Sequence, residues 1–182
     1  MAFWIAPASR GVAALFSVSL ALFASGVAAR AASGPFGPWS GPAPALTLSD
    51  AWNVAHSLAP TPGGVVIVHF FATWCEPCRE ELPALARLAR RPGVEARVIA
   101  ISVAEPDLRV RRFLATTETG FPVLLDRDRS AARAWGVATL PTSFVLDGAL
   151  TPRLAAEESV AWDKVEPHQL ATSFKANATE QK

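Results

Sequence analysis

Cys75 and Cys78 are the only cysteines among 182 residues, and they stand one helical turn apart in FFATWCEPCREELP (70–83). A pair at this spacing can staple a fold, hold a soft metal ion or exchange electrons. As a staple it does little. On the loop-entropy account so small a ring stabilises by about 2 kcal/mol, against about 4.7 kcal/mol for a ring of 100 residues. As a metal site it lacks partners. Two thiolates can hold Cu(I), but there is no further cysteine, the only methionine is Met1, and His56, His69 and His168 show no ligand spacing. Redox exchange uses the spacing directly. A Cys75 placed at a helix N-terminus meets free N–H groups and the positive end of the dipole, which favour its thiolate. If that lowers its pKa from about 8.5 to about 7, attack gains only about threefold, because nucleophilicity falls as the thiolate fraction rises. The larger effects are on leaving-group quality and reduction potential. Cys78, one turn further in, is shielded and within reach of a mixed disulfide on Cys75. Pro77 falls in the first turn, where a missing N–H costs nothing.

The elements that would position the pair can be read on both sides of it. VVIVHFF (65–71) is a continuous apolar run, the pattern of a strand buried on both faces. A helix should follow from Cys75 to about Arg90, with Leu82, Leu85, Leu88 and Ala89 on one face and Pro92-Gly93 as its stop. LTLS (46–49), VIAISV (98–103), FPVLLD (121–126) and TSFVLD (142–147) read as strands. DLRVRRFLATT (107–117), part of DRSAARAWGV (128–137) and residues 163–174 read as helices. Asp147-Gly148 followed by ALTPRL suggests a hairpin, hence antiparallel late strands. The alternation predicts an α/β domain over residues 45–174 with a central mixed β-sheet flanked by helices. Ligands of such sheets sit beyond the carboxyl ends of the strands, where Cys75 would lie.

The remainder of the chain is organised around that domain. Half the residues are apolar (51%) and the net charge is +1, so neither nucleic acid nor a strongly acidic partner is indicated. Residues 1–32 read as an export segment. Val12 to Phe23 is apolar and uncharged, and Ala29-Arg30-Ala31 offers a cleavage pattern. A cleaved signal peptide and an uncleaved membrane anchor both fit, since residues 11–29 carry no charge. Either places the domain in the periplasm or on the extracytoplasmic face, where disulfide chemistry is possible. Residues 33–44 are rich in proline and glycine and read as a linker with an exposed Trp39, and 175–182 as a flexible polar tail.

FFATWCEPCREELP, followed some sixty residues on by GVATLPTSFVLDG (136–148), resembles the thioredoxin-fold family. Within it the chain is similar to the TlpA/ResA/CcmG-like branch of exported thiol–disulfide oxidoreductases over about residues 44–174. FPVLLD and the helix after it resemble the strand and helix that this branch inserts. The peroxidase pattern P-x-x-x-[TS]-x-x-C is not met, for Ala72 and Val68 occupy its positions before Cys75. The resemblance implies an enzyme that exchanges its Cys75–Cys78 pair, in the reductive direction, with a protein disulfide or thiol pair. An apocytochrome c or a copper-site protein of cytochrome oxidase would be such a substrate. It implies re-reduction by a membrane electron donor, no cofactor, no metal and a monomer. A Cu(I)-binding carrier for respiratory assembly is the alternative. The resemblance makes Leu140-Pro141 a cis bond beside the disulfide and Glu81 a proton-handling group, where an unaided reading makes Glu81 a solvated helix residue. Trp74, Glu76, Pro77 and Leu140 would meet substrate, with Trp74 also covering the disulfide. Three positions depart from the pattern. His69 stands where plain thioredoxin has a buried aspartate and this branch often has asparagine or histidine, and it reads as a satisfied core histidine or a redox participant. DAWN (50–53) lacks the usual closing glycine, and ALTPRLAAEESVAW has none. Arg111-Arg112 read as a solvated helix face.

Overall fold

The computed structural model describes Met1 and residues 35–41, 43–93 and 95–179. The export segment expected over residues 1–32 thus lies almost wholly outside the described residues. Among the described residues no helix is long and apolar enough to cross a membrane. In chain order the elements are β1 (Gly37–Pro38), β2 (Thr47–Ser49), β3 (Ala55–Ser57), β4 (Val65–Phe71), α1 (Glu76–Ala89), β5 (Ala96–Val103), α2 (Asp107–Leu114), β6 (Val123–Asp126), α3 (Ser130–Ala134), β7 (Thr142–Asp147), β8 (Pro152–Ala156), a 3₁₀ turn (Trp162–Lys164) and α4 (Pro167–Thr179).

Every residue of β4 is buried, which is why its sequence is apolar without alternation. It lies inside a six-stranded sheet of order β1-β8-β7-β4-β5-β6. β4, β5 and β6 run parallel, while β7 and β8 run antiparallel to their neighbours. The sheet is therefore mixed, as the sequence predicts. The period of two along β4 divides the core. Val65 and Ile67 pack with Leu85 and Leu88 of α1, Trp162, and Leu170 and Phe174 of α4. Val66, Val68 and Phe70 pack on the other face with Trp135, Phe144 and Leu146. His69 continues the first set, so it points toward the α1 side. The expected inserted strand and helix are β6 and α3. A carboxylate joins them, Asp126 accepting from the amides of Ala131 and Ala132 at 3.1 and 2.8 Å.

The structure departs from the sequence reading at both ends. Within the expected linker, Phe36 is buried against Trp162 and Gly37–Pro38 pairs with β8. Trp39, expected to be exposed, is half-buried in T-shaped contact with Phe144 at 5.2 Å. Proline and glycine rule out a central strand but not an edge strand, where a missing N–H can face outward. At the other end α4 runs on to Thr179, into the expected tail. β3 was missed. It is three residues long and, among the described residues, pairs only with β2. Arg111 is not simply solvated, because its Nε donates to the carbonyl of Ala51 at 2.6 Å.

If residues 36–39 belong to the fold, removing the Phe36 ring should cost about 3 kcal/mol. Urea unfolding of Phe36→Ala against wild type measures it. An unchanged midpoint would return the segment to the status of a linker.

Candidate active site

β4 ends at Phe71 and α1 begins at Glu76, so a short loop must turn the chain from sheet to helix at the carboxyl end of the sheet. Cys75 closes that loop as the N-cap of α1, with φ −83° and ψ 108°, and Pro77 occupies the first turn. Cys75 and Cys78 are joined as a disulfide with S–S 1.99 Å and Cα–Cα 5.3 Å. The two ends of the bond differ in access. Cys75 keeps 7% of its surface exposed, while Cys78 is fully buried. Both pack in one apolar cluster with Ala51, Phe71, Ala72, Leu82 and Val110, and Leu140 leans against it. The Leu140–Pro141 bond is cis, and Pro141 is buried at the start of β7. The sequence-predicted residues are thus distributed in two groups. Cys75, Cys78 and Leu140 share the cluster. Trp74 is 66% exposed beside Cys75. Pro77 is exposed too, and Glu76 faces solvent in an ion pair with Arg79 at 2.9 Å.

Glu81 is not on the solvated face. It is only 3% exposed, one turn beyond Cys78 on the same side of α1. Its Oε1 accepts the backbone N–H of Val160 at 3.1 Å, and its Oε2 accepts the indole N–H of Trp162 at 2.6 Å. Burial raises the carboxyl pKa above the usual range, and hydrogen bonds from Trp162, Ser159 and Val160 pull in the opposite direction. Next to it lies His69, whose Nδ1 is 3.8 Å from Glu81 Oε2. The same Nδ1 bonds Ser143 Oγ at 2.9 Å, its register partner across β4 and β7. His69 Nε2 is buried with no hydrogen-bond partner among the described residues. Full burial pushes the imidazole pKa down to about 3, so the ring is neutral near pH 7. A buried carboxyl of raised pKa one turn from a thiol can hold or give up a proton without first becoming solvated.

Sequence reasoning did not find Ser143 or Trp162, which come from strands and loops far along the chain. It also missed Glu105, a buried carboxylate that holds Thr73 in the loop before Cys75. A signal was present. Glu105 comes two residues after the end of the second buried strand, at the carboxyl end of the sheet where a carboxylate has no role in the core.

A family model described as the AhpC/TSA family matches residues 40–151. The thiol-disulfide oxidoreductase ResA of Geobacillus thermodenitrificans is 37% identical over 108 residues, which are 58% of this chain and 61% of that protein. ResA of Bacillus subtilis is 35% identical over 58% of this chain and 59% of its own length. The chain therefore spans about three-fifths of the length of these curated relatives. A Chlorobium tepidum protein assigned as thiol:disulfide interchange protein DsbE superposes with a TM-score of 0.63 and 26% identity, over 72% of this chain and 94% of that one.

The raised pKa of Glu81 has a thermodynamic consequence. The folded protein favours the protonated carboxyl, so its contribution to stability is complete below the unfolded carboxylate range and is lost as pH rises through the higher folded value. The stability of wild type relative to Glu81→Gln should accordingly fall with rising pH. Urea unfolding of both proteins across about pH 4 to about pH 8 tests this, and a flat difference would mean that the carboxyl titrates normally.

Proposed function

The chain belongs to the AhpC/TSA family, and on that premise we propose that it is a thioredoxin-like thiol–disulfide oxidoreductase that reduces protein disulfides through Cys75 and Cys78. The observation that carries the proposal is the asymmetry of the pair. Cys75 caps a helix N-terminus and keeps an exposed edge, while Cys78 is buried one turn behind it. In the reduced protein the Cys75 thiolate attacks one sulfur of a substrate disulfide, and the other substrate sulfur leaves as a thiolate and takes a proton. Cys78 then gives up its proton and attacks Cys75, breaking the mixed disulfide. The substrate departs with two thiols, and the protein is left with the Cys75–Cys78 bond, two electrons poorer. Glu81 is the proposed acceptor of the Cys78 proton, supported by its burial one turn further along α1 and by its raised pKa. Peroxide reduction is not favoured, because Ala72 and Val68 stand where the peroxidase pattern needs a hydroxyl and a proline.

Trp74, Glu76, Pro77 and Leu140 form the proposed substrate contact, supported by the exposure of the first three beside Cys75 and the packing of Leu140 on the cysteine cluster. The proposed setting is extracytoplasmic, with a membrane donor returning the electrons. The uncharged stretch over residues 11–29 supports it, as does the likeness in fold, at a TM-score of 0.55, to a disulfide oxidoreductase described as secreted from Mycobacterium tuberculosis. Reduction of an apocytochrome c or of an oxidase copper-site protein is the proposed task.

Cys78→Ser should trap a mixed disulfide with a disulfide-bonded substrate, while Cys75→Ser should not, as read by non-reducing electrophoresis. An oxidised apocytochrome c peptide and an oxidised copper-site domain, offered separately, would distinguish the two tasks. Faster alkylation of Cys78 than of Cys75 in the reduced protein would reverse the assignment.

A further inference from the structure

Glu105 lies between β5 and α2 and is 4% exposed. Its carboxylate takes three donors. Oε2 accepts the backbone N–H of Thr73 at 2.7 Å, Oε1 accepts Thr73 Oγ1 at 2.5 Å, and Ser102 Oγ donates to Oε2 at 2.7 Å. Both carboxylate oxygens thus grip one residue, by its main chain and by its side chain, two positions before Cys75. The loop is closed from within as well, by the Cys75 N–H on the carbonyl of Ala72 at 3.1 Å. The clamp is anchored in the sheet. Ser102 belongs to β5, and Ala104, with a left-handed φ of 57°, donates its N–H to the carbonyl of Asp126 on β6 at 2.9 Å. A solvated loop could satisfy the Thr73 N–H with water. Burying a carboxylate for that purpose costs desolvation, which is better explained by what the loop carries.

We propose that Glu105 is a positioning residue for the attacking thiol: by fixing Thr73 it holds Cys75 over the N-terminus of α1. The inference rests on the reading of Cys75 as the attacking cysteine. The grip leaves the thiolate where the helix N-terminus stabilises it, and it keeps the sulfur aimed at an incoming disulfide.

The test compares Glu105→Ala and Glu105→Gln in the full chain, using the pH profile of Cys75 alkylation and the reduction of insulin. Loss of positioning should raise the midpoint of the Ala variant by about half a pH unit, as the thiolate leaves the helix N-terminus. Its kcat/KM on insulin should fall about tenfold or more. Glu105→Gln should stay near wild type, because an amide oxygen in the place of Oε2 still accepts the Thr73 N–H and the Ser102 hydroxyl, while the Thr73 hydroxyl can turn to accept from the NH₂ group in the place of Oε1. If Glu105→Ala does not fold, Thr73→Val removes one of the two grips and should move both readouts in the same direction by less. A midpoint that falls in both Glu105 variants would show the carboxylate acting as a charge and overturn the proposal. An unchanged midpoint in Glu105→Ala or, where that variant does not fold, in Thr73→Val would overturn it too. Failure of the underlying redox reading would show separately, as a wild-type protein that is inactive on insulin and alkylated first at Cys78.

Discussion

The fold is built on the burial of β4 on both of its faces. With α1 and α4 packed on one face and α3 on the other, the strand cannot shift register without exposing apolar side chains or burying polar ones. Its carboxyl end is therefore fixed in space, and so is the short loop that leaves it. Cys75 inherits that precision as the cap of α1. Parallel pairing with β5 and β6 brings two further strand ends to the same side, which is how Glu105 comes within reach of Thr73.

Beneath the disulfide the core becomes polar. His69, Ser143, Glu81 and Trp162 form a buried cluster in an otherwise apolar layer. Burying polar groups costs free energy, and hydrogen bonds offset most but not all of it, since His69 Nε2 finds no partner among the described residues. Burial acts oppositely on the two titratable groups, disfavouring the cation of His69 and the anion of Glu81. The cluster therefore tends toward neutrality, and a proton taken up or lost there is felt strongly in the low-dielectric interior.

Local pattern made the inner fold legible. The bounds of β4 follow from its apolar run, β7 from a short β-forming stretch ending at the Asp147-Gly148 turn, and α1 from its leucine spacing and the Pro92-Gly93 stop. The cysteine pair was legible because two residues carry it. What could not be read are contacts made across the chain. Glu81 meets Trp162 over 81 positions, with no local signal that its carboxylate is buried, and Thr73 meets Glu105 over 32, a pairing that the position of Glu105 after a strand does not reveal. Propensity also misjudged Phe36 to Trp39, because proline and glycine describe what the backbone avoids and not where neighbouring aromatic side chains can bury. The role of helix geometry at Cys75 was accessible from sequence, whereas the support under its loop required the fold.

The two-residue strand β1 has an effect on association as well as on packing. A sheet edge with free amides is a template for another chain. Here β8 is capped by Gly37–Pro38, so the outermost strand on that side is very short and one of its residues has no amide hydrogen. On the opposite side β6 is four residues long and Asp50 bridges to Leu124. Among the described residues neither border offers a long ladder to a second copy, so two molecules that meet edge to edge have few free amides and carbonyls through which to extend the sheet.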